Sequence, residues 1–455
     1  MRAYVPMRTC AFIPNFFKFY NILWQTALPF LKKNKRLGPS FQKRIATDHL
    51  QKADIWIQAA SAGESFLALS LLCCLEPIQP IKILITSTTS QGMKILKSGL
   101  SKNEINPNIE CFLDWFPFDI PRTIQEAVNR VNPRVMILLE TEIWPALLHY
   151  LKKNHTQIFI VNGRLSKRSS MHYRWTKFLW AQLSPDKILA ISPLDAKRYG
   201  QVFDKAQITQ MPNIKFDLME SGLDSPSEPL TLENIISKDL PLSILASIRR
   251  QEEKQALEIL DELLARYPSQ VVAIFPRHMH RMDAWKKKLC KKKIPFHLRS
   301  EMTAPVITAG IILWDAFGEL RETYGIARTV FVGGSLCPLG GQNFIEPAVL
   351  GTPTVTGPYL DDFAWAGKDL FNQKLVTICN DSQTVAQAMV GYLEVPIERG
   401  KRKQKAQDYI QTNQGGTKMA CQIILEVLEQ QHTDWHRCPG RSHSPPQGRR
   451  RHSPW

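Results

Sequence analysis

Gly333-Gly334-Ser335-Leu336-Cys337-Pro338-Leu339-Gly340-Gly341-Gln342-Asn343-Phe344-Ile345-Glu346-Pro347 is the stretch whose reading decides the fold. It leaves a short apolar run, Thr329 to Val332, and enters another apolar segment, Ala348 to Leu350. A strand, a glycine-rich turn and a helix start, in that order, make a place for a phosphate. Glycine lets the backbone come close to a ligand, and the helix start aims unpaired N–H groups and partial positive charge at it. Asn343 and Glu346 have the spacing of a capping box, which predicts a helix beginning here. The alternative is a tight turn that only packs helix on sheet. Two glycine pairs bracketing one short loop favour the ligand loop.

Outward from that turn, short β-rich runs alternate with helical stretches. Strands are expected at Ile55–Ala60, Ile83–Ser87, Val135–Leu139, Gln157–Val161 and Ile188–Ser192 in the first half. The second half offers Ser243–Ser247, Val271–Phe275, Gly310–Trp314, Thr329–Val332 and Thr354–Thr356. Near-continuous apolar strands separated by helices specify parallel sheets covered on both faces. After Arg250, Ala256, Ile259, Leu260, Leu263 and Leu264 recur with helical period. A polar stretch containing Pro and Ser, Glu220 to Leu230, is the expected linker. The fold class is therefore α/β, with two doubly wound, Rossmann-like domains expected at residues 46–222 and 231–430, facing each other across a cleft. Ligands of such sheets bind outside the carboxyl ends of the strands. No Walker-type phosphate loop and no GxGxxG fingerprint occurs, which disfavours a dinucleotide dehydrogenase.

With 455 residues, 44% of them hydrophobic, the chain can bury two domain-sized cores. Nine cysteines form no CxxC pair, which argues for a reducing compartment and against a disulfide scaffold or zinc site. The net charge of +17 asks for an anionic partner. Part of it lies in a Pro/Ser/Gly/His-rich tail, residues 435–455, that cannot bury a core. Part lies at Lys32, Lys33, Lys35 and Arg36, just after an apolar N-terminus, which reads as contact with an anionic membrane surface. No basic motif interleaved with aromatics supports nucleic-acid binding.

The apolar segment Cys10 to Leu31 is about long enough to span a bilayer. Pro14, Asn15, Lys18, Asn21, Gln25 and Pro29 make it a poor span, and no small-residue cleavage site marks a removable signal peptide. The expectation for residues 1–45 is a membrane-embedded or interfacial anchor, set against an amphipathic helix packing on the domain.

Several strand ends carry groups suited to chemistry. Glu64 follows strand Ile55–Ala60 at a turn into a helix, where a desolvated carboxylate can act as a general base or simply favour the helix dipole. Glu140 and Glu142 follow Val135–Leu139; they are spaced to grip a metal or to flank a strand end, and no DxD supports a metal-bridged sugar diphosphate. Lys215, in Asn213-Ile214-Lys215-Phe216-Asp217, is placed to neutralise a departing phosphate or to lie solvated on the surface. Pro276-Arg277-His278 puts an arginine fork on the second sheet's ligand edge. Phe317-Gly318-Glu319 follows another strand there, with backbone N–H groups and Glu319 able to read a base or sugar. Acids thus belong to the first half and phosphate-binding groups to the second, the division required of a transferase.

Read in order, these motifs resemble 3-deoxy-D-manno-octulosonic acid (Kdo) transferases, membrane-associated enzymes that put Kdo on lipid A precursor. The resemblance runs from about Ile55 to about Asp369 and includes Ser61-Ala62-Gly63-Glu64, Glu140-Thr141-Glu142-Ile143-Trp144-Pro145 and Asn162-Gly163-Arg164-Leu165-Ser166. It continues through Asn213 to Asp217, Pro276 to His278, Phe317 to Leu320 and the glycine-rich run as far as Gly357-Pro358. It implies a GT-B architecture, CMP-Kdo as donor, inversion at the anomeric carbon, no required metal and no cofactor. It further implies work at the cytoplasmic face of the inner membrane. By motif, Glu64 would be the base, and Glu140 and Lys215 would stabilise the transition state. Pro276, Arg277, Phe317, Gly318, Glu319, Asn343, Phe344, Ile345 and Glu346 would hold CMP. Three positions depart from the family pattern: Phe317 stands where methionine is common, Gln342 where histidine is common, and Ile248-Arg249-Arg250 replaces a turn containing Thr and His. The alternatives are a GT-B transferase using another nucleotide sugar and a non-catalytic membrane adaptor.

Overall fold

In the computed structural model, which describes residues 12–34, 37–38, 40–221, 236–237, 240–302, 306–395 and 397–437, the chain separates into two units. Residues up to Leu218 join those from Gly415 onward in the first, and Met219–Gln414 make the second.

The first unit is built on β1 (Ile55–Ala59), β2 (Ile81–Ser87), β3 (Ile109–Trp115), β4 (Val135–Leu139), β5 (Gln157–Gly163), β6 (Lys187–Ala190) and β7 (Gln207–Gln210). They form one sheet in the order β3-β2-β1-β4-β5-β6-β7, every pair parallel. Ile55 to Ala59 and Val135 to Leu139 are buried throughout, as strands covered by helices on both faces must be. The second unit holds β8 (Leu242–Ile248), β9 (Val271–Pro276), β10 (Phe296–Leu298), β11 (Gly310–Leu313), β12 (Thr329–Val332), β13 (Thr354–Thr356) and β14 (Val376–Ile378). Its order is β10-β11-β9-β8-β12-β13-β14, again all parallel. Strand order reverses between β1 and β4 in one sheet and between β8 and β12 in the other. A crevice opens at the carboxyl ends of such strands.

The helix Gly416–Arg437 belongs to the first unit, not to the second half that the sequence assigned as far as residue 430. Ala420, Cys421, Ile424, Val427 and Leu428 complete the core over Leu67, Leu71 and Ile83. Asp217 fixes its start by accepting the N–H of Gly415 at 2.8 Å and the N–H and hydroxyl of Thr417, each at 2.6 Å. Residues 222–230 of the expected linker and 438–455 of the expected basic tail lie outside the described residues.

Among the described residues no helix is long and apolar enough to cross a membrane. The apolar N-terminal segment instead forms the helix Phe12–Lys32, whose Phe17, Tyr20, Trp24 and Leu28 pack on the first unit. Phe19, Ile22, Leu23 and Phe30 remain exposed on the rest of its surface. Residues 1–11 lie outside the described residues. The Tyr20 hydroxyl donates to Asp119 at 2.9 Å, and buried Asp119 also accepts the N–H groups of Ala146 and Leu147 in the first turn of the helix Pro145–Lys153. Tyr20→Phe is therefore expected to cost about 1–3 kcal/mol in urea unfolding, the range for leaving a buried hydrogen-bonding group without one of its partners. An unchanged unfolding midpoint would show that this bond does not hold the helix.

Candidate active site

In the first unit, β1 turns through Ala60 and Ser61 into the helix Ala62–Cys74. Ser61 caps that helix by accepting the Glu64 N–H at 3.3 Å. Glu64 reaches back, taking the Ala60 N–H at 2.5 Å and the Ser61 hydroxyl at 3.1 Å. The serine cap and the returning carboxylate together fix Glu64 at the carboxyl end of β1. Glu140 follows β4 directly and adopts the left-handed region, φ 54°. Its N–H donates to Val161, and its carbonyl accepts the Tyr199 hydroxyl at 2.9 Å. Its carboxylate lies 2.6 Å from the Lys215 ammonium. Glu142 accepts the indole N–H of Trp144 at 2.7 Å.

Three carboxylates therefore gather where the first sheet reverses its strand order. Burial pushes Glu64 up to about 7, and the negative charges of Glu142 and Glu140 add to it against the hydrogen bonds from Ala60 and Ser61. Burial likewise raises Glu142. Lys215 is placed by two asparagines: Asn213 Oδ1 accepts its N–H at 3.0 Å, and Asn162 Oδ1 accepts that of Ile214 at 3.0 Å. Both asparagines are buried, with side-chain amide nitrogens that have no partner among the described residues.

In the second unit, Arg277 follows β9 and donates from Nε to Gln342 Oε1 at 2.9 Å, which joins it to the glycine-rich turn after β12. Asn343 Oδ1 accepts the N–H groups of Ile345 at 3.3 Å and Glu346 at 3.4 Å, so a helix starts here as expected, though it spans only Ile345–Val349. Phe344 and Ile345 are buried, Phe344 against Phe363 and Phe371, leaving only their backbone to meet a ligand. Burial raises the Glu346 carboxyl. Phe317, after β11, is 84% exposed, and Gly318 has φ 87°. The Glu319 carboxylate is committed to its own turn: Arg299 grips both oxygens, at 2.8 and 3.0 Å, and Trp314 donates at 2.9 Å. Arg299 and Trp314 were not among the site residues expected from the sequence.

Residues 33–218 match the family described as 3-deoxy-D-manno-octulosonic-acid transferase (kdotransferase). The 3-deoxy-D-manno-octulosonic acid transferase of Haemophilus influenzae is 30% identical over 387 residues, which cover 82% of this chain and 87% of that protein. The chain belongs to the Kdo transferase family. As a Kdo transferase it is a glycosyltransferase, and its work is Kdo transfer in lipopolysaccharide biosynthesis. Its fold is that of a glycosyltransferase from Rickettsia africae, with TM-score 0.53 and 13% identity over 83% of this chain and 99% of that one. A UDP-GlcNAc 2-epimerase from Neisseria meningitidis gives TM-score 0.54 at 13% identity, with the same coverage of 83% and 99%. Both likenesses bear on fold alone: two parallel α/β sheets, as in GT-B glycosyltransferases.

Within this Kdo transferase, the first unit supplies a carboxylate that titrates near neutrality beside a fixed carboxylate–ammonium pair. Such a group can accept a proton from a sugar hydroxyl without forming a covalent intermediate. Among the described residues no group of three His, Cys, Asp or Glu side chains stands ready to hold a metal ion.

Proposed function

We propose that the chain transfers Kdo from CMP-Kdo to a lipid A precursor with inversion at the anomeric carbon. The observation that carries this reading is Glu64, held at the end of β1 with its carboxyl raised to about 7, beside the Glu140–Lys215 pair. Glu64 takes the proton from an acceptor glucosamine hydroxyl as its oxygen attacks the anomeric carbon, and the bond to CMP breaks. Positive charge grows on the sugar ring and negative charge on the departing phosphate. Glu140 faces the first and Lys215 the second, so both favour the transition state over the bound substrate. Arg277, with the backbone of Gly318 and of Asn343 to Glu346, holds CMP.

The exposed apolar surface of the helix Phe12–Lys32 is flanked by Lys18, Lys32 and Lys33, all exposed. That composition suits a helix lying in the headgroup region of an anionic membrane, and it supports work at the cytoplasmic face of the inner membrane on a lipid acceptor. The test is to incubate the purified chain with CMP-Kdo and tetraacylated lipid A precursor and to weigh the products by mass spectrometry. Expected are a Kdo adduct of the lipid and released CMP. Transfer from a UDP- or GDP-sugar with none from CMP-Kdo would overturn the donor.

A further inference from the structure

β8, the central strand of the second sheet, ends at Ile248, and a single 3-10 turn, Arg250–Glu252, leads into the helix Glu253–Arg266. Glu252 has no solvent exposure at all. Its Oε1 accepts the N–H groups of Ser335 at 2.7 Å and Leu336 at 2.6 Å, and its Oε2 accepts that of Gly334. Gly334 lies in the left-handed region, φ 72°, which turns three successive N–H groups toward one point. Successive N–H groups converging in this way form an anion-binding concavity, the device that phosphate loops use. Here the chain fills it with its own carboxylate.

The arrangement is locked. Ser335 Oγ donates to the Val332 carbonyl at 2.7 Å and accepts the Gly357 N–H at 2.8 Å. A side chain at Gly333 would meet the Ser247 carbonyl at 3.1 Å and Glu252 at 3.2 Å. The second glycine pair differs: Gly340 and Gly341 have φ 86° and 87°, and the Gly341 N–H holds the Gly334 carbonyl at 2.7 Å. Beside that pair stands Gln342, which carries Arg277.

We propose that Glu252 determines donor specificity, admitting a nucleotide with one phosphate and refusing a nucleotide with two. This rests on the reading that the second unit binds the nucleotide of the donor. A phosphate seeking the N–H groups of Gly334 to Leu336 would have to displace a buried carboxylate holding all three. A second phosphate lodged nearby would meet like charge in a poorly screened interior. A single phosphate served by Arg277 and the second glycine pair incurs neither cost.

The experiment compares CMP and CDP binding to the full chain by isothermal titration calorimetry at fixed ionic strength. The unaltered chain should bind CMP at least about tenfold more tightly than CDP, since like charges brought together cost several kcal/mol. Glu252→Gln removes the charge and keeps the shape, and Glu252→Ala vacates the seat. Both should shift the CMP-to-CDP preference toward CDP by about tenfold or more. A purely structural Glu252 would weaken both nucleotides equally and leave the ratio unchanged, which overturns the proposal. So does an unaltered chain that binds CDP as tightly as CMP, a result that needs no variant to fold. Binding of neither nucleotide would overturn the donor reading as well, whereas CMP binding with an unmoved ratio overturns this inference alone.

Discussion

Replacing Glu64 with Gln should slow Kdo transfer by about 10²–10⁴, the contribution of a well-placed general base, while CMP binding stays within about twofold. The substitution isolates proton transfer because the turn survives it. Glutamine keeps a side-chain carbonyl oxygen at the same reach, so the bond from the Ala60 N–H can persist. CMP is assigned to groups of the second unit, which the change does not touch. Loss of transfer with CMP binding retained separates a catalytic carboxylate from one that merely starts a helix. Normal turnover in the variant would leave Glu64 a structural cap, with another group taking the proton.

Lys215→Ala should be nearly as damaging, lowering kcat by about 10²–10³, as loss of one group facing developing charge does. Its ammonium, 2.6 Å from Glu140, fixes that carboxylate and, in the proposed mechanism, meets the leaving phosphate, so the variant would lose both effects at once. The loss should fall on kcat, with KM for CMP-Kdo little changed, because the interaction grows as the phosphate departs. Lys215→Arg, which keeps the charge at altered reach, should recover part of the rate. If kcat is unchanged in Lys215→Ala while KM rises, Lys215 serves substrate binding and not leaving-group departure.

Much of this architecture was legible in the sequence, and the omissions share a cause. The ten strands expected from apolar runs all occur. The four others, β3, β7, β10 and β14, are the two edges of each sheet. Edge strands bury less, so Ile109–Trp115 carries Glu110 and Asp114, Gln207–Gln210 is polar at both ends, and Phe296–Leu298 and Val376–Ile378 are three residues each. None offers the continuous apolar run that marks an interior strand. The return of the helix Gly416–Arg437 to the first unit was hidden because its apolar stripe, Ala420 to Leu428, suits any sheet face.

At the site, local sequence placed Glu64, Glu140 and Arg277 on strand ends, since a strand followed by a turn locates its next residues on the sheet's edge. Lys215 was placed only at the end of the first half, because the polar edge strand before it went unread. It did not reveal partners. Glu252 meets residues 82 to 84 positions away, Arg299 reaches Glu319 across 20 positions, and Phe344 turns into the core. Those pairings depend on tertiary register, which no local pattern encodes.

That Glu64 removes the acceptor's proton is tested most directly by the pH dependence of single-turnover transfer. A base must be ionised to act, and Glu64 is raised to about 7. The rate should therefore climb with pH, about tenfold per unit below that value, and level off above it. In Glu64→Gln the residual rate should lack this limb. The same limb in both chains would contradict the assignment, because another group would then be taking the proton.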